Sequence, residues 1–409
     1  MSQAWWKLLS LAAFLLPPAC RPPEPPPAAP PEPEWVAPAP EVSFFPVPPE
    51  NLPLLWDGAG ELDSLVVALK LQRGWLARQD AARKFRYGNR QVVAAELLRG
   101  VELLLARLAE KPDAEAFGAF VAANFDAIES VGGRDGQLLV TGYYEPILEG
   151  SKTPSPEYPV PIYGPPGISL ISVDLGAFDE KWRGQRVAGQ LKDGKLVPYA
   201  DRKQIRESGM LRGKEIAWAK DPIDAFFLEV QGSGTLRLPD GGELRIGYAG
   251  ANGRPYRSIG KALIDQGKMD KSKVSMQTLR AWLNAHPEER DAIFDQNGSF
   301  VFFRELEGAA VGSLGLPVTA GRSVAADPQY FPQGAVAFLL TEKPRALPDG
   351  TGEVEDLLTR FVVVQDTGGA IKGPGRVDFF WGRGHEAGER AGVMKQPGRI
   401  FLLLPKKAP

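Results

Sequence analysis

At 409 residues the chain can bury the cores of two or three domains without disulfide staples. Its 45 glycines and 38 prolines favour a loop-rich, strand-rich body over a helical bundle, and a formal charge of -2 excludes a polyanion binder, so no nucleic acid is expected as a partner. With one cysteine and two histidines, His286 and His385, there is little material for a disulfide, a metal centre or a serine-histidine triad; neither metal nor cofactor is expected, and any chemistry falls to carboxylates.

Residues 1–20, MSQAWWKLLSLAAFLLPPAC, carry an apolar run from Leu8 to Leu16 that is too short to span a bilayer and has the dimensions of an export signal. With the lone cysteine directly behind it, the segment resembles a bacterial lipoprotein signal in which Cys20 becomes the lipidated first residue, although Pro17 and Pro18 replace the usual Leu and small residue. Arg21, in place of Asp, then suggests an outer-membrane anchor and a periplasmic body. Ordinary signal cleavage with an incidental cysteine is the competing reading. Residues 21–55 are dominated by Pro, Ala and Glu and read as a disordered, polyproline-type spacer, worth about 3.1 Å per residue and roughly 90 Å over about thirty residues.

Between Gly60 and Ser130, apolar residues recur at three- and four-residue spacing in LDSLVVALKLQRGWLARQ and VVAAELLRGVELLLARLAE, which predicts two or three helices. From Gly136 the pattern changes to short runs rich in β-branched and aromatic residues: LLVTGYYEPIL, PVPIYG, AFFLEVQGSG, TLRLP and LRIGYAG, all expected as strands. Asp240-Gly241-Gly242 predicts a hairpin turn. A helical interlude covers SIGKALIDQG and MQTLRAWLNAHPEERDAIFDQ, then SFVFFREL, FVVVQDTGGAIKG, RVDFFWG and RIFLLLP read as strands. So many short strands call for closed barrels, which leave no exposed edges.

Chemistry is expected where FVVV delivers Asp366 into the turn Thr367-Gly368-Gly369-Ala370-Ile371-Lys372-Gly373, followed by a second apolar strand with Asp378. A carboxylate embedded in an apolar strand is costly unless compensated. Desolvation and a neighbouring carboxylate would both raise its pKa toward the range of a general acid. Against this stands the plainer reading that Asp366 caps its turn and Asp378 is an ordinary strand residue. His385 sits in GHEAG, but the residue four positions on is Glu389, so the zinc-peptidase pattern fails; a structural or groove-edge role remains. His286 reads as a helix-end surface residue.

The stretch 366–392 resembles the 3D motif of the membrane-bound lytic transglycosylase A family. Agreement extends, in order, through VTGYYEPILEGS at 140–151, FFLEVQGSG at 226–234, IGYAGANGRPYRSIGKALI at 246–264, NGSFVFFRE at 297–305 and GSLGLPVTAGRSVAADPQYFPQGAVAFL at 312–339. The resemblance implies a mainly β fold: a double-psi β-barrel domain with N-terminal helices from 56–140 plus 306–409, and an inserted β-barrel domain over 141–305. It implies a peptidoglycan lytic exotransglycosylase that cleaves the β-1,4 bond between N-acetylmuramic acid and N-acetylglucosamine without water, leaving a 1,6-anhydro end. The partners it implies are peptidoglycan glycan strands, the outer membrane through a lipid anchor, and a cell-wall synthesis complex.

The family's catalytic aspartate matches Asp378, and its neighbour in the motif matches Asp366. A single acid can first protonate the leaving oxygen and then act as base, because the substrate brings its own nucleophile. Related barrels often carry His-Phe-Asp where this chain has Arg376-Val377-Asp378, so Arg376 is expected to face solvent or substrate. Candidate sugar-binding residues are Tyr143, Tyr144 and Glu145; Gln231 and Ser233; Tyr248, Asn252 and Tyr256; and Thr319, Arg322 and Ser323. Two competing functions stay open: a glycan hydrolase using Asp366 or Glu145 as second carboxylate, and a lipid-anchored, non-catalytic wall-binding protein.

Overall fold

The computed structural model describes residues 39–407 apart from 58–61, 134–135, 168–169, 180–181 and 183–184. Cys20, the export signal and most of the proline-rich segment lie outside the described residues. The first part runs through β1 (Phe44–Val47), α1 (Leu62–Leu76), β2 (Lys84–Tyr87), β3 (Arg90–Val93), α2 (Ala94–Ala109), α3 (Ala114–Asn124), β4 (Phe125–Ser130) and β5 (Leu138–Glu145). The middle contains β6 (Ile147–Ser151), β7 (Val160–Tyr163), β8 (Leu170–Asp174), β9 (Arg186–Lys192), β10 (Lys195–Val197), α4 (Arg202–Ser208) and β11 (Glu215–Ala219). It continues with α5 (Pro222–Gln231), β12 (Ser233–Arg237), β13 (Glu243–Ala251), α6 (Ile259–Asp265), α7 (Met276–Ala285), α8 (Arg290–Phe294) and β14 (Val301–Glu305). Last come β15 (Ser323–Ala326), β16 (Val336–Ala346), β17 (Gly352–Asp366), β18 (Arg376–Arg383), α9 (His385–Val393) and β19 (Lys395–Pro405).

Six strands close on themselves in the order β5-β18-β15-β17-β16-β19, because β19 also pairs with β5. Two of the pairings are parallel, β15 with β17 and β18 with β5, as the expected double-psi barrel requires. Phe361 to Val364 of β17 are all buried, one side facing the barrel and the other helix α1. That double cover is why the run is continuously apolar. A second sheet, β14-β13-β12-β6-β11-β7, is built from the middle of the chain, and its edge strands β14 and β7 come back into contact. Leu148, Ile162, Leu236, Ile246 and Phe303 fill it. The fold is therefore mainly β, with helices α1 to α3 packed on the first barrel.

Two expectations need correction. AFFLEVQ is not a strand: α5 runs through Gln231, with Asp221 accepting the Ile223 N–H as N-cap, Pro222 opening the helix, and Gly232 at φ 82° ending it. The short apolar run fits either element, and the Asp-Pro start decides for helix. The segment expected as a disordered spacer through residue 55 contains β1, which pairs with β4 and buries Phe44 edge-on against Phe331. One buried aromatic ring, Phe44, together with the β4 pairing docks the strand, while Phe45 stays 61% exposed. The hairpin at Asp240-Gly241-Gly242 joins β12 to β13 as expected, with Gly241 at φ 83°.

Candidate active site

Asp378 lies on β18 in the barrel wall, between Ala325 of β15 and Thr141 of β5. Its side chain is 14% exposed. Residues two apart on a strand share a face, so Arg376 stands beside it. The guanidinium does not turn away from the acid, as the sequence suggested, although its side chain stays 31% exposed. It bends onto the carboxylate, Nε donating to Oδ1 at 3.0 Å and Nη2 to Oδ2 at 3.2 Å. Arg376 also donates to Thr141 Oγ1 at 3.2 Å and to the Ala370 carbonyl at 3.3 Å. The Thr141 hydroxyl donates to Oδ1 as well. Oδ1 thus accepts from two groups and Oδ2 from one at longer range, so Oδ2 is the oxygen with room for a proton.

Asp366 ends β17, one turn away. Its Oδ1 accepts the backbone N–H groups of Ser313 and Thr367, each at 2.9 Å. Burial outweighs these bonds and, with the nearby Asp378 charge adding to it, pushes the Asp366 carboxyl up to about 6. Tyr143, across from Phe380 in the β5–β18 pairing, stacks on that ring with centroids 5.0 Å apart. Its hydroxyl is buried without a well-aligned partner among the described residues. Burial first, then the charges of Asp366 and Asp378, hold its proton well above the ordinary range. The Tyr256 hydroxyl is likewise raised by burial, and feels Arg376 and Asp378. Asp366, Asp378, Tyr143 and Tyr256 therefore share one electrostatic neighbourhood.

The remaining candidates divide by what their polar atoms touch. Tyr248 is 55% exposed on β13. Gln231 Oε1 accepts the Tyr144 N–H at 3.0 Å, fixing the end of α5 to β5, and Ser233 begins β12 half-buried. Tyr144 itself is buried against Ala387, Ala391, Met276 and Trp381. Glu145 is buried, accepting from Thr235 Oγ1 at 2.8 Å with Arg383 3.7 Å away. Asn252 spends its whole amide on Ala200, Gly298, Arg254 and Phe300 backbone groups and is fully buried. Ser323 Oγ accepts from the Thr319 N–H at 2.8 Å and donates to Gln365 at 2.6 Å. Arg322 is 1% exposed and binds Asp57, Ser64 and the Phe361 carbonyl. These last contacts are internal, and they fix the barrel rather than reach outward. His385 opens α9 with its ring exposed, and His286 ends α7 stacked on Trp282 at 4.3 Å.

Sequence reasoning missed Thr141, Ser313 and Asp327. Buried Asp327 accepts the N–H of Gly373 at 2.8 Å and so pins the far end of the Asp366 turn. Thr141 lies inside a quoted motif, but its place opposite Asp378 depends on a parallel pairing that local pattern cannot show. Immediately before Arg376, Gly375 crosses Gly133 so closely that a Cβ there would lie 2.3 Å from the Gly133 Cα, which explains one glycine of this segment.

Comparison with known proteins agrees with this arrangement. The MltA specific insert domain matches residues 139–304, and the 3D domain matches residues 322–404. A membrane-bound lytic murein transglycosylase A of Escherichia coli K12 is 36% identical over 279 residues, 67% of each chain; the Vibrio cholerae protein of the same name is 34% identical over 68% of each. Among solved structures, a membrane-bound lytic murein transglycosylase from Agrobacterium tumefaciens superposes with TM-score 0.71 at 33% identity, covering 89% of this chain and 98% of that one. E. coli MltA with bound chitohexaose gives 0.67 at 27% identity, covering 90% and 95%. With its sequence, its barrel and its insert all in agreement, the chain belongs to the membrane-bound lytic murein transglycosylase A family.

Proposed function

We propose that this enzyme acts on peptidoglycan by cleaving the β-1,4 bond between N-acetylmuramic acid and N-acetylglucosamine, with Asp378 as the sole acid and base. The carrying observation is a nearly buried carboxylate in the barrel wall whose Oδ2 has room for a proton, with Asp366 and two tyrosines around it. The Asp378 proton passes to the glycosidic oxygen as the C1–O bond breaks. The resulting carboxylate takes the proton of the muramoyl C6 hydroxyl, O6 bonds to C1, and the acid is regenerated. Atoms balance without water, so no second carboxylate is consumed. Asp366 holds the turn through the Ser313 and Thr367 N–H groups.

Tyr248 and Tyr256 supply aromatic and hydroxyl surface for sugar rings and Tyr143 an aromatic edge beside the acid, with Gln231 and Ser233 beside them, while Tyr144, Glu145, Asn252, Thr319, Arg322 and Ser323 fix the walls. We assign the barrel domain to 56–140 plus 306–409 and the insert to 141–305, the junction falling within β5, whose residues through Glu145 still pair with β18. Among the described residues no helix is long and apolar enough to cross a membrane. The proposed attachment is a lipid on Cys20, which holds the enzyme at the periplasmic face of the outer membrane, with access to a wall-synthesis complex. Cys20→Ser moving the protein from the membrane to the soluble fraction checks this, and unchanged sedimentation refutes it.

Asp378→Asn tests the chemistry. It keeps the melting temperature within a few degrees and lowers release of anhydro ends from peptidoglycan by at least about a thousandfold. Mass spectrometry of wild-type products distinguishes the competing hydrolase, which adds one water to each new end. An Asp378→Asn protein as active as wild type overturns the assignment.

A further inference from the structure

We propose that Arg376 makes the site selective for glycan strands bearing a carboxylate near the scissile bond, an inference that rests on the transglycosylase reading. Arg376 is tied to Asp378 through both carboxylate oxygens, and its other acceptors are neutral, Thr141 Oγ1 and the Ala370 carbonyl. When Asp378 carries the proton it must deliver, the guanidinium loses its counter-charge. A partly buried cation left unpaired is costly, and Arg376 is 31% exposed.

Among the described residues, the groups around the pair supply no substitute. From β18 there is Arg376 itself, from the end of β17 Asp366, from β5 Tyr143, and from the loop before α6 Tyr256. Asp366 is engaged with the Ser313 and Thr367 N–H groups, and the tyrosines are neutral. The replacement anion must therefore arrive with the substrate. Strands carrying peptide stems present carboxylates and uncharged chitin-type strands do not. A planar guanidinium recognises a carboxylate through paired bonds, which a lysine cannot copy.

The test compares stem-bearing glycan strands with the same strands after carbodiimide amidation of their carboxylates. Wild type is expected to lose about tenfold or more in kcat/KM on amidation. Arg376→Gln is expected to show the same kcat/KM on both, and Arg376→Lys an intermediate ratio. Because Arg376→Gln can be slow on either substrate, the ratio is also read as binding, by co-sedimentation with insoluble sacculi before and after amidation. A wild-type enzyme indifferent to amidation, or an Arg376→Gln protein that keeps the full ratio in binding, overturns the proposal. Anhydro ends in the wild-type products of intact strands are scored separately, so failure of the transglycosylase reading is distinguishable from failure of this one.

Discussion

Thr141 stands directly opposite Asp378 in the parallel pairing of β5 with β18, and its hydroxyl donates to carboxylate Oδ1. The hydroxyl and Arg376 Nε together occupy one oxygen, so in the proposed mechanism the transferred proton sits on Oδ2.

Removing the hydroxyl while keeping the shape tests that role. Thr141→Val loses one bond to a charged group, worth about 1.5–3 kcal/mol, so kcat is expected to fall roughly tenfold to a hundredfold with KM little changed. Thr141→Ser should recover most of the loss, and the product should remain the anhydro sugar. A normal kcat in Thr141→Val would show that the hydroxyl is incidental.

Asp366 sets a pH dependence of stability. Burial chiefly pushes its carboxyl up to about 6 in the folded protein, from the ordinary carboxylate value of 3.8. Between those values the native state binds more proton than the unfolded chain, so this stabilisation is complete below the lower value and is lost as pH rises through the upper one. Asp366→Asn abolishes that titration. The variant's melting temperature relative to wild type should therefore be higher at about pH 8 than at about pH 4. Differential scanning at both pH values checks this, and a constant difference would contradict it.

Arg322 and Asp57 form a buried ion pair at 2.5 Å, with side chains 1% and 0% exposed. Arg322→Met leaves the buried Asp57 carboxyl without its guanidinium partner, keeping the Phe361 N–H, and should cost about 3–5 kcal/mol in urea unfolding. Adding Asp57→Asn to that variant should recover part of the loss. If the double variant were less stable by the sum of the two single losses, the pair would not be coupled.

Much of the architecture was legible because the barrel strands carry compact apolar runs such as FVVV and IFLLL near Gly or Pro, although β16, β17 and β19 extend to 11, 15 and 11 residues. Asp378 and Asp366 stood out as charges in such runs. Three features escaped, each for a physical reason. AFFLEVQ is too short for periodicity to separate helix from strand. Phe44 and Phe45 are a small apolar island in a proline-rich stretch, and only the partner strand β4 makes them ordered. Arg376 could be placed on the same face as Asp378 by counting two residues, but whether a long side chain bends toward a neighbour or away from it depends on Thr141 and Ala370, which come from other parts of the chain.

Thr141 and Asp378 are 237 positions apart, and β19, which begins at Lys395, closes the ring in which they meet. Such distant pairing is slow to form, and the ring cannot close before β19 has been made. A nascent chain that has reached β18 carries Thr141 and Asp378 but lacks the strand that closes the barrel around them. The site is thus assembled late, once β19 takes its place between β16 and β5.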